Sequence, residues 1–150
     1  MGEVLTVNLE SCVFCQLVAR KLPISVVDET EDVLALMDIQ PVNPSHVLII
    51  PKLHARYLAD LDPTLVGHIF AMGMRVAAAL RTCGVRCEGV NLFLADGEAA
   101  GQEVFHVHLH VFPRFEGDGF GLKFSPKYFV PPPRSELDDI AREIRYLIPA

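Results

Sequence analysis

Positive charge is scarce in this 150-residue sequence: 13 Lys and Arg stand against 19 Asp and Glu, a formal net charge of -6. Gripping DNA or RNA through the phosphate backbone needs a basic surface, so no nucleic-acid partner is expected and any anionic ligand must be held locally. Long apolar runs are missing too, with none approaching the ~18 residues of a membrane helix. The N-terminus has no basic segment followed by an apolar stretch of the secretory kind. These absences lead us to expect a soluble cytoplasmic protein with no membrane partner. Cysteine is limited to Cys12, Cys15, Cys83 and Cys87. With no mark of secretion, the Cys12-Val13-Phe14-Cys15 spacing reads as a zinc or redox pair, or as two ordinary buried thiols. A redox motif would follow a strand in a thioredoxin-like pattern, and residues 1–9 offer at most one short strand. No internal repeat and no second domain are visible, and glycine-rich 115–121 lacks any phosphate-loop pattern.

What is present is a hydrophobic fraction of 51%, enough for one ordinary domain with a real core. The most informative stretch is Val104-Phe105-His106-Val107-His108-Leu109-His110-Val111-Phe112-Pro113. On a β-strand, His106, His108 and His110 share one face at steps of about 6 to 7 Å, and Phe105, Val107, Leu109 and Val111 share the other. The second face is unbroken hydrophobe and must pack against a core. A row of imidazoles offers nucleophiles, proton carriers and metal ligands near neutral pH. Taken alone, the row leaves a three-histidine metal site open.

The rest of the chain supplies a scaffold. Residues 24–28 and 33–37 read as a hairpin across the acidic turn 29–32, and Val47-Leu48-Ile49-Ile50 as a central buried strand with proline only outside it. Asp62 as N-cap and Pro63 at N1 open a helix to about Thr82, with Val66, Ile69, Phe70, Gly73, Ala77 and Leu80 on its apolar stripe. His68 and His54 read as surface residues. Residues 89–95 form a further strand, and after the stiff Pro131-Pro132-Pro133, Ser135 caps a last helix with Leu137, Ile140, Ile144, Leu147 and Ile148 on one face. The expected fold is α+β: a central, mostly antiparallel sheet of about five strands, the long helix across one face, the histidine strand inside, and a C-terminal helix. The domain core should span about residues 11–114, with the C-terminal loop and helix at 115–150.

The stretch Gly101-Gln102-Glu103-Val104-Phe105-His106-Val107-His108-Leu109-His110-Val111-Phe112 resembles the signature of the histidine triad (HIT) family. The resemblance extends from Ser11 to about Arg114 through Asp38-Ile39-Gln40-Pro41 and Pro44-Ser45-His46-Val47-Leu48-Ile49-Ile50-Pro51. It implies a HIT-like domain that pairs as a homodimer and binds a nucleotide or nucleotide conjugate. It also implies hydrolysis or nucleotidyl transfer at the α-phosphate of nucleoside phosphoramidates or dinucleoside polyphosphates, through a nucleotidyl-histidine intermediate. By the same resemblance, His108 is the nucleophile, His110 orients it or contacts the phosphate, His106 belongs to the row or to a zinc shell, and Gln102 hydrogen-bonds phosphate. Asp38 would accept from the ribose hydroxyls, while Phe14 and Ile39 would line the base pocket. Structural zinc would be held by Cys12, Cys15, His46 and His106. A zinc-stabilised nucleotide-binding protein with little turnover is the alternative, and a metal-handling protein a third reading.

Two positions depart from the family's pattern. Ala95 stands where many relatives carry Asn or Gln, with Asn91 on the same strand face as a partial substitute. Glu103 stands where Ser or Thr is common, and a carboxylate beside a phosphate costs electrostatic energy unless it faces solvent or pairs with a cation.

Overall fold

Strands covered on both faces must be apolar at every position, and the two central hydrophobic runs form such strands in the computed structural model, which describes residues 9–149. They are β2 (Val33–Met37) and β3 (Val47–Pro51), with Val33 to Leu36 and Val47 to Pro51 all buried. With β1 (Val26–Glu29), β4 (Gly89–Leu94) and β5 (Leu109–Arg114) they make a five-stranded sheet in the order β1-β2-β3-β5-β4. Every neighbouring pair is antiparallel. The fold is therefore α+β, and the strand carrying the end of the histidine stretch lies inside the sheet, between β3 and β4. The short strand considered for residues 1–9 falls almost wholly outside the described residues.

Each face of the sheet has its own core. On one face Val33, Ala35, Val47, Ile49, Val107, Leu109 and Val111 pack with Ile69, Met72, Val76 and Leu80 of α2 (Pro63–Leu80). On the other, Leu34, Leu36, Leu48 and Ile50 pack with Phe14 of the short helix α1 (Val13–Val18). The period-2 alternation of the strands thus assigns α2 to one side and leaves the other to the CxxC helix and the histidines.

Asp62 caps α2 as expected, its carboxylate accepting from the Thr64 N–H at 2.8 Å. The buried stripe is rotated from the expected one: Met72 and Val76 face the sheet, and Phe70 is 43% exposed. The close approach is made at Gly73, where a Cβ would lie 2.9 Å from Leu109 Cδ2 and 3.2 Å from Leu92 Cδ2. Fixing the glycine against β5 sets the rotation. By length and composition α2 is apolar enough to cross a bilayer, contrary to the expectation that no run is; its buried face shows that here it covers a sheet. His68 is exposed, as expected, and sits 2.5 Å from Asp32.

Residues up to Asp118 and those from Gly119 onward form separate compact units. The second unit holds a stacked pair, Phe124 and Tyr128, with ring centroids 3.9 Å apart, and helix α3 (Arg134–Leu147). Pro133, not Ser135, is the N-cap residue of α3, because proline at 133 already fixes the extended entry to the helix. The expected apolar row Leu137, Ile140, Ile144, Leu147 and Ile148 is exposed.

Candidate metal centre and histidine site

The histidines divide between two clusters at opposite ends of β3. Only His110 lies within β5, which begins at Leu109; His106 stands at a bend and His108 on the irregular segment that leads into the strand, both buried. His106 Nε2 lies 2.8 Å from the Pro51 carbonyl, at the end of β3. A carbonyl only accepts, so Nε2 carries the proton and the Nδ1 lone pair is free to act as a ligand.

That Nδ1 faces three other donor atoms. It is 3.5 Å from Cys12 Sγ, 3.6 Å from Cys15 Sγ and 3.2 Å from His54 Nδ1, and His54 Nδ1 is 3.2 Å from Cys15 Sγ. All four atoms lie within 4.8 Å of one another. A zinc tetrahedron with Zn–N near 2.0–2.1 Å and Zn–S near 2.3 Å has N···N edges of about 3.3 Å and N···S edges of about 3.5 Å. The observed spacings match those edges, so the donor set fits zinc. Burial, with the adjacent Cys12, pushes the Cys15 thiol up to about 11. A bound divalent cation would reverse that shift by deprotonating both thiols.

The fourth ligand position corrects the sequence expectation. His46 is not part of this centre, and His54 is not a surface residue. His46 precedes Val47 at the opposite end of β3 from Pro51, roughly 16 Å of strand away, and so cannot reach a cluster docked at the Pro51 carbonyl. His54, three residues beyond Pro51, is at the right end. The signal available in the sequence was a histidine just past the strand, but its neighbours Lys52 and Arg56 argued for surface.

His46 instead joins Asp38 and His110. The left-handed Ser45, with φ of 75°, turns the chain so that His46 enters β3 buried. The Val42 N–H donates to His46 Nδ1 at 3.0 Å, which leaves the proton of the neutral ring on Nε2. Nε2 lies 2.9 Å from His110 Nδ1, so it donates there and His110 in turn keeps its proton on Nε2. Asp38 Oδ2 is 3.5 Å from His46 Nε2 and 4.0 Å from His110 Nδ1, while Oδ1 accepts from the Gln40 N–H at 2.8 Å.

His108 lies between the two clusters. Its Nδ1 donates to the His106 carbonyl at 2.7 Å, placing the lone pair on Nε2. Every fully buried side-chain N or O among the described residues is paired, so the unpartnered Nε2 must reach the surface. Burial lowers the pKa of His46, His106, His108 and His110, to about 4 for His106 and for His110, where His108 and His46 add to the effect. All four rings are thus neutral near pH 7, as the tautomer chain requires. Phe14, 6% exposed, packs edge-on to His106 and His108 at 5.7 and 5.1 Å.

Other expected contacts are partly redistributed. Gln102 is buried, with Oε1 accepting from the Gly97 N–H at 2.7 Å and Nε2 donating to the Arg56 and Val104 carbonyls at 2.9 and 3.2 Å. Both amide protons are used on backbone, so Gln102 clamps the loop and has no donor left for a phosphate in this arrangement. Asn91 Oδ1 accepts from Arg114 at 2.6 Å. The β4 side chain opposite His110 is Phe93, at a ring distance of 5.9 Å, which sequence reasoning missed because Phe93 looked like an ordinary strand residue. Ile39 is 96% exposed beside Asp38, and Ala95 is buried.

Comparison with known proteins agrees with this geometry. Residues 19–117 match the model of the HIT domain. A HIT family protein of Bacillus anthracis is 36% identical, with a TM-score of 0.85 over 93% of this chain and 99% of that one. A zinc-bound histidine triad family protein of Mycobacterium smegmatis is 41% identical, with a TM-score of 0.72 over 79% of this chain and 86% of that one. A histidine triad nucleotide-binding protein of Candida albicans is 26% identical, with a TM-score of 0.80 over 91% of this chain and 96% of that one. With the triad, the fold and the family model in agreement, the chain belongs to the histidine triad (HIT) family.

Proposed function

We propose that this protein is a nucleotide hydrolase or nucleotidyl transferase that cleaves at the α-phosphate of a nucleotide conjugate through a nucleotidyl-His108 intermediate. The observation that carries the reading is the tautomer of His108: Nδ1–H is bound to the His106 carbonyl at 2.7 Å, and the Nε2 lone pair is free. Nε2 attacks phosphorus, an N–P bond forms, and the leaving group departs with the electron pair of its own bond to phosphorus and takes up one proton. Water then attacks the nucleotidyl-histidine, Nε2 leaves with the N–P pair, and one proton is returned. Covalent catalysis of this kind divides one difficult displacement into two easier ones.

The other residues support this chemistry. His110 Nε2–H, fixed by the His46 contact, is a donor for a non-bridging phosphate oxygen. Asp38 offers its remaining lone pairs to a ribose cis-diol, and exposed Ile39 covers a base. Cys12, Cys15, His54 and His106 hold a structural zinc; four protein ligands leave no open position for catalysis. The zinc-bound and nucleotide-binding relatives support both assignments. The exposed β4 edge, with Leu92 and Phe93, suits pairing with a second copy so that the sheets continue across a two-fold axis. Four free cysteines suit a reducing, cytoplasmic setting.

The test is incubation with a panel of nucleoside phosphoramidates and dinucleoside polyphosphates, followed by detection of an acid-labile adduct on His108. Binding of AMP with no adduct and no turnover of any conjugate would replace the enzyme with a zinc-stabilised nucleotide-binding protein.

A further inference from the structure

The loop that carries Asp38 and His46 into the histidine site is tied to the end of β5 by a side chain that the proposed chemistry does not use. Of residues 38–46 only Asn43 and His46 are buried. Asn43 Nδ2 donates to the Pro113 carbonyl and to Asp118 Oδ2, both at 2.8 Å. A carbonyl and an arginine-paired carboxylate only accept, so both amide protons are committed and the orientation of the amide is fixed.

Asp118 is itself built in. Its side chain is 2% exposed and meets Arg114 Nε at 2.6 Å and Nη2 at 3.0 Å, with the Phe115 N–H at 3.3 Å. Gly117, with φ of 77°, makes the turn that returns Asp118 to Arg114, and this gives the glycine-rich stretch 115–121 a purpose other than holding phosphate. The carboxylate is thus charged and held by Arg114, and a hydrogen bond to a charged acceptor is stronger than one between neutral groups.

Asn43 reaches the site through its backbone. Its carbonyl accepts from the His46 N–H at 3.2 Å, and the N–H of its neighbour Val42 donates to His46 Nδ1 at 3.0 Å. Asp38 is held by a different route: its N–H donates to the His46 carbonyl at 3.0 Å, next to the β2–β3 pair Met37 and Val47. Removing the Asn43 amide would therefore free Val42 to leave the His46 ring while Asp38 stays at the end of β2.

Resting on the hydrolase reading above, we propose that Asn43 is a positioning residue that acts through His46 on His110. By pinning residues 42–46 to Pro113 and Asp118, it keeps the Val42 N–H on His46 Nδ1, and so keeps the His46 Nε2 proton directed at His110 Nδ1. Asn43 touches no substrate; it sets which nitrogen of His110 faces the phosphate.

The experiment compares 15N-histidine-labelled wild type, Asn43→Ala, Asp118→Asn and Val76→Ala, by ring nitrogen shifts of the free protein and by steady-state kinetics on one AMP phosphoramidate. Val76 lies in the core on the α2 face, so its truncation loosens the fold without touching the loop. In Asn43→Ala, His46 and His110 should show a mixture of tautomers in place of one. Its kcat should fall by up to about 100-fold while KM stays within about threefold, as for a misoriented group that does not bind substrate. Asp118→Asn keeps an acceptor but loses the charge, and should move the same readings in the same direction by less. Val76→Ala should keep the wild-type nitrogen spectrum.

A wild-type spectrum in Asn43→Ala, or the same tautomer mixture in Val76→Ala, overturns the assignment and leaves the hydrolase reading standing. A rise in KM in place of a fall in kcat also overturns it. If Asn43→Ala does not fold, Asp118→Asn decides by the same readings, and an unchanged spectrum there overturns the assignment. Failure of wild type to turn over the phosphoramidate brings down the hydrolase reading itself; the nitrogen spectra, which need no substrate, then decide whether Asn43 sets the tautomers.

Discussion

His46 Nε2 stands 2.9 Å from His110 Nδ1, and this contact sets which nitrogen of His110 carries the proton. The chain of donation begins at the backbone, with Val42 N–H to His46 Nδ1, and ends at His110 Nε2–H. His46→Ala would leave Nδ1 of His110 without its donor and free the ring to adopt the other tautomer. We expect kcat to fall by up to about 100-fold, the cost of a misoriented catalytic group, with KM little changed. Ring 15N shifts of His110 should show the tautomer mixture, and His46→Gln, whose amide retains an N–H, should recover part of the rate. An unchanged nitrogen spectrum in His46→Ala would refute the relay.

The metal centre makes a prediction that separates His46 from His54. His54→Ala should lose zinc from protein purified without chelator, because it removes one corner of the Cys12, Cys15, His54, His106 set. His46→Ala should retain about one zinc per chain. Elemental analysis decides both. Chelation should lower the melting temperature of wild type by several degrees, since metal binding is coupled to folding. Zinc retained by His54→Ala would exclude His54 as a ligand.

The sequence made the sheet legible because its strands obey simple rules. Residues 33–37 and 47–50 are apolar throughout and are central, and the alternation at Val107, Leu109 and Val111 does face a core. Asp62-Pro63 marked the start of α2 to the residue. What could not be read was which end of a strand meets which loop. The same histidine spacing is compatible with His46 or His54 at the zinc corner, and only the docking of His106 on the Pro51 carbonyl selects the latter. Phe70 was misplaced for a related reason: a helical stripe is about 100° wide, and Gly73 pressing on Leu109 chooses among rotations that the pattern alone leaves equivalent. Gln102 was readable as a site residue but not as a clamp, because its partners are backbone atoms from three separate places.

Buried neutral histidines set a pH window. The folded pKa of His110 is about 4, below the ordinary 6.5 of an exposed imidazole. Below pH 6.5 the unfolded chain therefore binds the proton that the folded chain refuses. Stability is fully present above pH 6.5 and is lost as pH falls toward 4. After discounting for partial exposure, His110 should contribute about 2 kcal/mol to this loss. Urea unfolding of wild type and His110→Asn between pH 7 and 4.5 should show a shallower slope in the variant. Equal slopes would mean that His110 is solvated when folded.

His108 links this titration to turnover. Burial lowers its pKa while Asp38 and Glu103 oppose the shift, so the proposed nucleophile stays neutral at pH values where a free imidazole is already half protonated. The acid limb of kcat/KM should therefore have its midpoint below 6.5, where the free protein's essential base is reported. His108→Ala should abolish turnover, by at least about 10⁴-fold, and leave AMP affinity within about threefold, because it removes the Nε2 lone pair but neither Asp38 nor Ile39. Asp38→Asn should show the opposite emphasis. One acceptor oxygen becomes a donor, ribose binding weakens, and KM rises about 10-fold or more while kcat changes less. Isothermal titration with AMP and steady-state kinetics on one phosphoramidate separate the two. Comparable losses of AMP binding in both variants would show that His108 contributes to ground-state binding, and measurable turnover by His108→Ala would move the nucleophile to another residue.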